Sequence, residues 1–359
     1  MTTRRKRIDE SDLRWSAAQR SMTELGAKGS TPIRLSAAPA AVGAPRWLRR
    51  AGLVALGTVG SLTFLLGVAS IPLSGLLIRP RLKRMAQLKS RHLRELIHKL
   101  GIELEDVVIA SFDGTRLCGW WMKAAETAPT IVVLHGVKKN RTDVLRAALG
   151  LRQAGFSVLV LDGRAHGSSE GRYVTYGFYE TRDVESSLEW LIREKGARRE
   201  AIGLAGESMG AAIALQVAAR NPWISAVWAD SPFASLERVT SEFLRRVTHM
   251  PGPVLSPVLW SAIQVANYRG KFDVRTVNPL SLAGEIKCPV HLVHGTADRL
   301  IATAHSENIF NALACQKELW IVEGASHARA IRYDKREYLR RITQFFQSKL
   351  SDSQERTLL

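Results

Sequence analysis

Five residues near the middle of the chain, Gly206-Glu207-Ser208-Met209-Gly210, have the types and spacing to present a serine as a nucleophile. A hydroxyl attacks poorly at neutral pH, so it needs a base beside it and a third group to orient that base. The glycines allow a sharp turn where any side chain would strike the neighbouring strand or helix. Such a turn lifts the serine oxygen out of its surroundings. A helix starting directly after it sets free N–H groups and a positive dipole end beneath a developing oxyanion. Taken alone, the pentapeptide suits a helix start with an N-capping serine equally well, so its partners must decide.

Two downstream residues supply them. Asp298 ends the run His294-Gly295-Thr296-Ala297-Asp298, and His327 ends Glu323-Gly324-Ala325-Ser326-His327. The chain order Ser…Asp…His matches one known arrangement of a nucleophile, acid and base. His327 would take the Ser208 proton and return it to the leaving group, and Asp298 would hold the imidazole tautomer. Upstream, the turn His135-Gly136-Val137 can aim the Val137 N–H at the substrate oxygen, so Val137 and Met209 are the expected oxyanion donors. His135 reads as a structural residue of that turn. Asp230 also ends an apolar run and is an alternative acid. Asp162 and His166 read as structural. His291 and His294, three apart on a strand, would face opposite sides and could not share a metal. No cofactor is called for. Cys118, Cys288 and Cys315 are too few and too irregularly spaced for a disulfide framework and read as small apolar residues.

These residues need a scaffold. From Gly101 onward, short apolar runs alternate with helical segments. The runs are 107–111, 116–122, 130–134, 157–161, 201–205, 224–229, 290–293 and 318–322, the first two joined by a hairpin turn at Asp113-Gly114. Helices are expected over 142–154, 179–194, 209–220, 303–313 and 334–349. The alternation predicts an α/β fold, with a mostly parallel sheet covered on both faces. Ser208, Asp298 and His327 then all follow strands, at the carboxyl edge where open sheets of this kind place their sites. Residues 231–286 are longer than a plain crossover and suit a helical cap, broken by Pro251, Pro253 and Pro257.

From about residue 103 to 349 the chain resembles bacterial α/β-hydrolases of the serine-aminopeptidase and lysophospholipase-like branch. The resemblance rests on the serine pentapeptide and on Asp162-Gly163-Arg164-Ala165-His166-Gly167-Ser168-Ser169, Asp230-Ser231-Pro232-Phe233 and Asn278-Pro279-Leu280. It implies Ser208, Asp298 and His327 as the catalytic triad and Val137 and Met209 as oxyanion donors. A serine at the nucleophile position, where an aspartate would stand otherwise, argues against the epoxide-hydrolase and dehalogenase branches.

The first hundred residues lie outside the resemblance. Residues 51–78 carry no charged side chain, while 1–50 and 79–100 each carry a net +7 of the chain's +18. A helix over 51–78 would be about 42 Å long at ~1.5 Å per residue, against roughly 30 Å of hydrocarbon. It is expected to be a transmembrane helix, or a monotopic hairpin around Pro72. Residues 1–50 read as a basic tail, disordered over most of its length, and 351–359 as a second disordered tail. The segment 79–100 reads as a basic amphipathic helix, lying at lipid headgroups or packed on the catalytic domain. Basicity beside an apolar run fits anionic lipid better than nucleic acid. Six basic residues follow the run and three precede it within about 15 residues, which weakly favours a cytoplasmic catalytic domain.

The expectation is a membrane-tethered serine hydrolase of 101–350 acting on an ester or amide through an acyl-enzyme, with esterase or lipase-like activity preferred. An aminopeptidase-like peptidase, an acyltransferase and a catalytically silent scaffold are the alternatives.

Overall fold

The computed structural model describes residues 45, 47, 48, 50, 51, 67, 68, 70–79, 95, 97–249 and 251–350. The chain divides at Thr58 into two units. Of the first, the described residues 47, 48, 50 and 51 are helical. The second holds the described residues from 67 onward.

Among the described residues eight strands form one sheet: β1 (Glu105–Ala110), β2 (Arg116–Met122), β3 (Thr130–Leu134), β4 (Ser157–Leu161), β5 (Ile202–Glu207), β6 (Ala226–Asp230), β7 (Val290–Gly295) and β8 (Lys317–Val322). Their order is β1-β2-β4-β3-β5-β6-β7-β8. The first two pairings are antiparallel and the rest parallel. Strands β3 and β4 read TIVVL and SVLVL and are buried at every position, because helices cover both faces.

Those helices are α1 (Arg141–Gln153), α2 (Glu180–Lys195), α3 (Met209–Arg220), α4 (Leu236–Thr248), α5 (Gly252–Gly270), α6 (Ala304–Ala312) and α7 (Lys335–Leu350), with single turns between some of them. Residues of α2, α3 and α6 join one core cluster, and those of α1 and α7 join the other. The sheet is therefore doubly wound, as the alternating pattern predicts.

The segment expected to be a cap holds α4 and α5. Pro251 precedes α5 and Pro253 occupies its first turn, but Pro257 lies inside the helix and does not end it. A third cluster packs Leu259, Ile263 and Ala266 of α5 against Phe233, Ala212 of α3 and Ile78. His305 of α6 fastens α4. Its Nδ1 accepts from the Ala234 N–H at 2.9 Å, which leaves Nε2–H to donate to Glu242 at 2.8 Å.

Most of the uncharged run, residues 52–66 and 69, lies outside the described residues, as do both expected tails apart from residues 45, 47, 48 and 50, and most of 79–100. Among the described residues no helix is long and apolar enough to cross a membrane. Residues 70–78 are helical, and the following chain returns at Ile97 and Leu100, which pack on the α1/α7 core. The three cysteines are unbridged.

Candidate active site

Strand β5 runs straight into Ser208, whose backbone takes φ 54° and ψ −113° before α3 begins. The glycines on either side are there for space. A Cβ on Gly206 would lie 2.3 Å from the Gly210 carbonyl, and one on Gly210 would lie 2.4 Å from the Leu134 carbonyl oxygen. The turn is held by the Ser208 N–H, which donates to the Asp230 carbonyl at 2.7 Å. The Ser208 side chain makes no capping bond to α3. Its Oγ stands 2.8 Å from His327 Nε2.

His327 Nδ1 lies 2.7 Å from Asp298 Oδ2. Nδ1–H therefore donates to the carboxylate, and Nε2 is left to accept from the Ser208 hydroxyl. Asp298 is fully buried at its side chain. Burial by itself would raise its pKa, but hydrogen bonds from His294 and His327 and from the Ile301 N–H hold it well below the usual carboxylate range. The carboxylate is thus ionised and fixed on both oxygens, since Oδ1 accepts from the Leu300 and Ile301 N–H groups at 2.8 and 2.9 Å.

The turn after β3 reaches over Ser208. A Cβ on Gly136 would sit 3.2 Å from Ser208 Cβ. Among the described residues, no backbone acceptor meets the N–H of Val137 or of Met209. His135 shapes this turn. Its Nδ1–H donates to the Gly136 carbonyl at 2.8 Å, and its Nε2 accepts from the Gly163 N–H at 2.9 Å. Burial, then the neighbouring His166, push its pKa down to about 3, so the ring is neutral and structural. Asp162 is also structural, accepting from the Arg141 and Ser168 N–H groups.

The alternative acid does not reach the base. Asp230 Oδ1 accepts from the Ser231 hydroxyl at 2.8 Å, and Oδ2 meets no donor among the described residues. Ser231 Oγ in turn accepts from the Ala328 N–H at 3.2 Å, next to His327. Ser208, Ser231 and Ala328 all have left-handed φ, 54°, 55° and 46°. Three costly non-glycine conformations thus meet at the carboxyl edge of the sheet, where strain in folded proteins tends to gather.

His291 and His294 diverge as their spacing predicts. His291 stacks on Trp228 at 4.2 Å on the α7 side. His294 turns to the α6 side, with Nδ1 2.7 Å from Ser306 Oγ and Nε2 3.2 Å from Asp298. Sequence reasoning considered His294 only as a metal ligand. Its spacing of four from Asp298, across the end of a strand, is the signal that could have shown it as the acid's second partner. The Lys139–Glu207 ion pair at 2.7 Å was not anticipated either.

Residues 125–279 match the family model described as serine aminopeptidase, S33. A stretch of 254 residues is 31% identical to the protein YqkD of Bacillus subtilis, covering 69% of this chain and 80% of that one. The esterase Pf2001 of Pyrococcus furiosus superposes with a TM-score of 0.60 at 25% identity, over 75% of this chain and all of that one. The chain belongs to the α/β-hydrolase superfamily. The hydrolase shares its fold, at 20% identity and a TM-score of 0.55, with the acylaminoacyl peptidase of Pyrococcus horikoshii, covering 69% of this chain and 42% of that one. The family match spans Val137, Ser208 and Met209 and stops before Asp298 and His327. As candidate acid and base, Asp298 and His327 therefore rest on geometry, not on the matched segment.

Proposed function

We propose that the protein is a membrane-tethered serine hydrolase that cleaves a carboxylic ester through an acyl-enzyme. The observation that carries this is the continuous line from Ser208 Oγ through the His327 ring to the buried, ionised Asp298. Ser208 attacks the carbonyl carbon as its proton passes to His327 Nε2. Asp298 stabilises the resulting imidazolium. The N–H groups of Val137 and Met209 receive the charge that develops on the carbonyl oxygen. Collapse expels the alcohol, which takes the proton from His327, and water repeats the sequence on the acyl-enzyme.

An ester is preferred because the cap brings apolar packing to the region beyond the strand ends, and the structural likeness to the Pyrococcus furiosus esterase supports it. A second reading, amide hydrolysis of the aminopeptidase type, is favoured by the family model alone. The tether is argued from the uncharged run 51–78 between two basic segments.

Labelling of the full-length protein by a fluorophosphonate probe tests the chemistry. Wild type should label, and Ser208→Ala and His327→Ala should not. Equal labelling of wild type and Ser208→Ala would refute the assignment. Turnover of acyl esters against peptide amides then separates the two readings.

A further inference from the structure

The helical residues 70–78 are built the wrong way round for water. Of their positions against the protein, Ser70, Ser74 and Ile78 are completely buried and Leu77 is partly buried, so two of these four are polar. Ser70 donates to Ser261 of α5 at 2.7 Å, and Ser74 donates to the Ile71 carbonyl and accepts from Arg269 of α5 at 2.9 Å. The outward positions are apolar: Val68 is 52% exposed, Ile71 57% and Leu76 67%. A helix on a water-soluble surface buries its apolar stripe and shows its polar one. Small and hydroxyl residues at the helix contact, with large apolar residues outside, is the arrangement used where the surrounding medium is lipid.

α5, bonded to this segment through Ser261 and Arg269, carries an exposed stripe of its own. Trp260, Gln264 and Tyr268 recur every fourth position and are all exposed. They include Trp260 at 66% and Tyr268 at 86% exposure, the two aromatic types favoured at the membrane–water boundary. Arg269 reaches across to the Ile71 carbonyl at 3.1 Å, so α5 and residues 70–78 are bonded side by side. At the far end of the helical segment, exposed Arg79 lies over the Tyr173 ring, with Arg172 on the same ring. Cations at that end suit anionic headgroups.

We propose that this face, formed by residues 68 and 70–78 and the outer stripe of α5, rests in the boundary layer of an anionic lipid bilayer. The cap is then part of the membrane contact and not only the upstream run. This deepens the reading of the chain as a membrane-tethered hydrolase, because it places the cap against the phase in which an acyl ester is dissolved.

The test uses the full chain with Cys118→Ser, Cys288→Ala and Cys315→Ser, carrying a single NBD-labelled cysteine. Label sites are Ile71→Cys, Trp260→Cys, Tyr268→Cys and, as control, Glu126→Cys, which is exposed before β3 at the other end of the sheet. Thermal melts identify variants that keep the fold. The protein is mixed with phosphatidylcholine/phosphatidylglycerol vesicles containing nitroxide-labelled lipid. At positions 71, 260 and 268 the label should shift to the blue on vesicle addition and be quenched at least threefold more than at 126. Quenching equal to that at 126 overturns the proposal. So does a label already blue-shifted and unchanged by vesicles, because other parts of the chain then cover the face. Flotation of unlabelled protein with vesicles reads membrane association by any part of the chain, and fluorophosphonate labelling reads the chemistry alone, so protein that floats and labels without selective quenching at 71, 260 and 268 has lost the cap contact and nothing else.

Discussion

Glu207 and Asp230 stand opposite one another at the carboxyl ends of adjacent parallel strands, directly beside Ser208, and Lys139 meets the first of them at 2.7 Å. Burial, then the Glu207 charge, push the Asp230 pKa up to about 6. Between about pH 4 and pH 6 the folded protein therefore holds a proton that the unfolded chain has released. Stability falls as pH rises through that window, and the full cost is present above it. In Asp230→Asn this cost is absent. Between pH 4 and pH 7.5 the variant should gain on wild type by on the order of 2–3 kcal/mol. Denaturant melts at both pH values check this, and parallel behaviour of the two proteins would exclude it.

The two candidate acids should separate by activity. Asp298→Asn leaves a folded protein with the wrong imidazole tautomer at His327, and kcat should fall by about 10⁴. Asp230→Asn touches no bond to His327 and should stay within a few-fold of wild type. A large loss in Asp230→Asn with little in Asp298→Asn would reverse the assignment.

His135 makes the opposite contribution to acid stability. Its pKa, pushed down to about 3, lies below the value near 6.5 of the unfolded chain. The unfolded chain therefore binds the extra proton first, and stability is lost as pH falls below about 6.5. Glutamine at 135 does not titrate. Wild type should lose about 3 kcal/mol more than His135→Gln between pH 7 and pH 4, as read from chemical denaturation at each pH.

The elbow glycines should be intolerant of a single methyl. In Gly210→Ala the new Cβ meets the backbone of Leu134 and His135, which cannot rotate away. A loss of about 3 kcal/mol or more is expected, with low soluble yield. Gly252→Ala at the start of α5 meets nothing within 4 Å and is the control. Equal melting temperatures for the two variants would show that the turn relaxes.

Much of this scaffold is readable from the chain. Thr130–Leu134, Ser157–Leu161 and Met209–Arg220 fall where their own composition puts them, because continuous apolar runs and a glycine-flanked helix start are local signals. Strands β5 and β7 run two residues further than expected. Their last residues still pair, Glu207 with Asp230 and Gly295 with Val322, and that depends on a neighbour in space. The same limit applies at the site. The order of Ser208, Asp298 and His327 is visible in sequence, but the Ser231 bridge to Ala328 and the second hydrogen bond to Asp298 from His294 are products of packing. Pro257 reads as a break because proline lacks an amide donor, yet α5 continues through it, with Leu255, Leu259 and Ile263 buried on either side.

Strand β8 has a further consequence. It is the outermost strand of the sheet, paired only with β7 and buried fully at just one of its six positions. His327 lies beyond its end. The loop there is held to the rest by the Ala297 N–H to the Ala325 carbonyl, the Gly324 N–H to Thr296 Oγ1 and the Ala328 N–H to Ser231. Ser208, by contrast, stands on a central strand. The two ends of the proposed proton path therefore belong to regions of unequal local stability. On warming, the margin carrying the base should fray while the central sheet persists, so turnover should vanish several degrees before the far-ultraviolet dichroism changes. Catalysis in this molecule would then serve as a thermometer of one sheet edge.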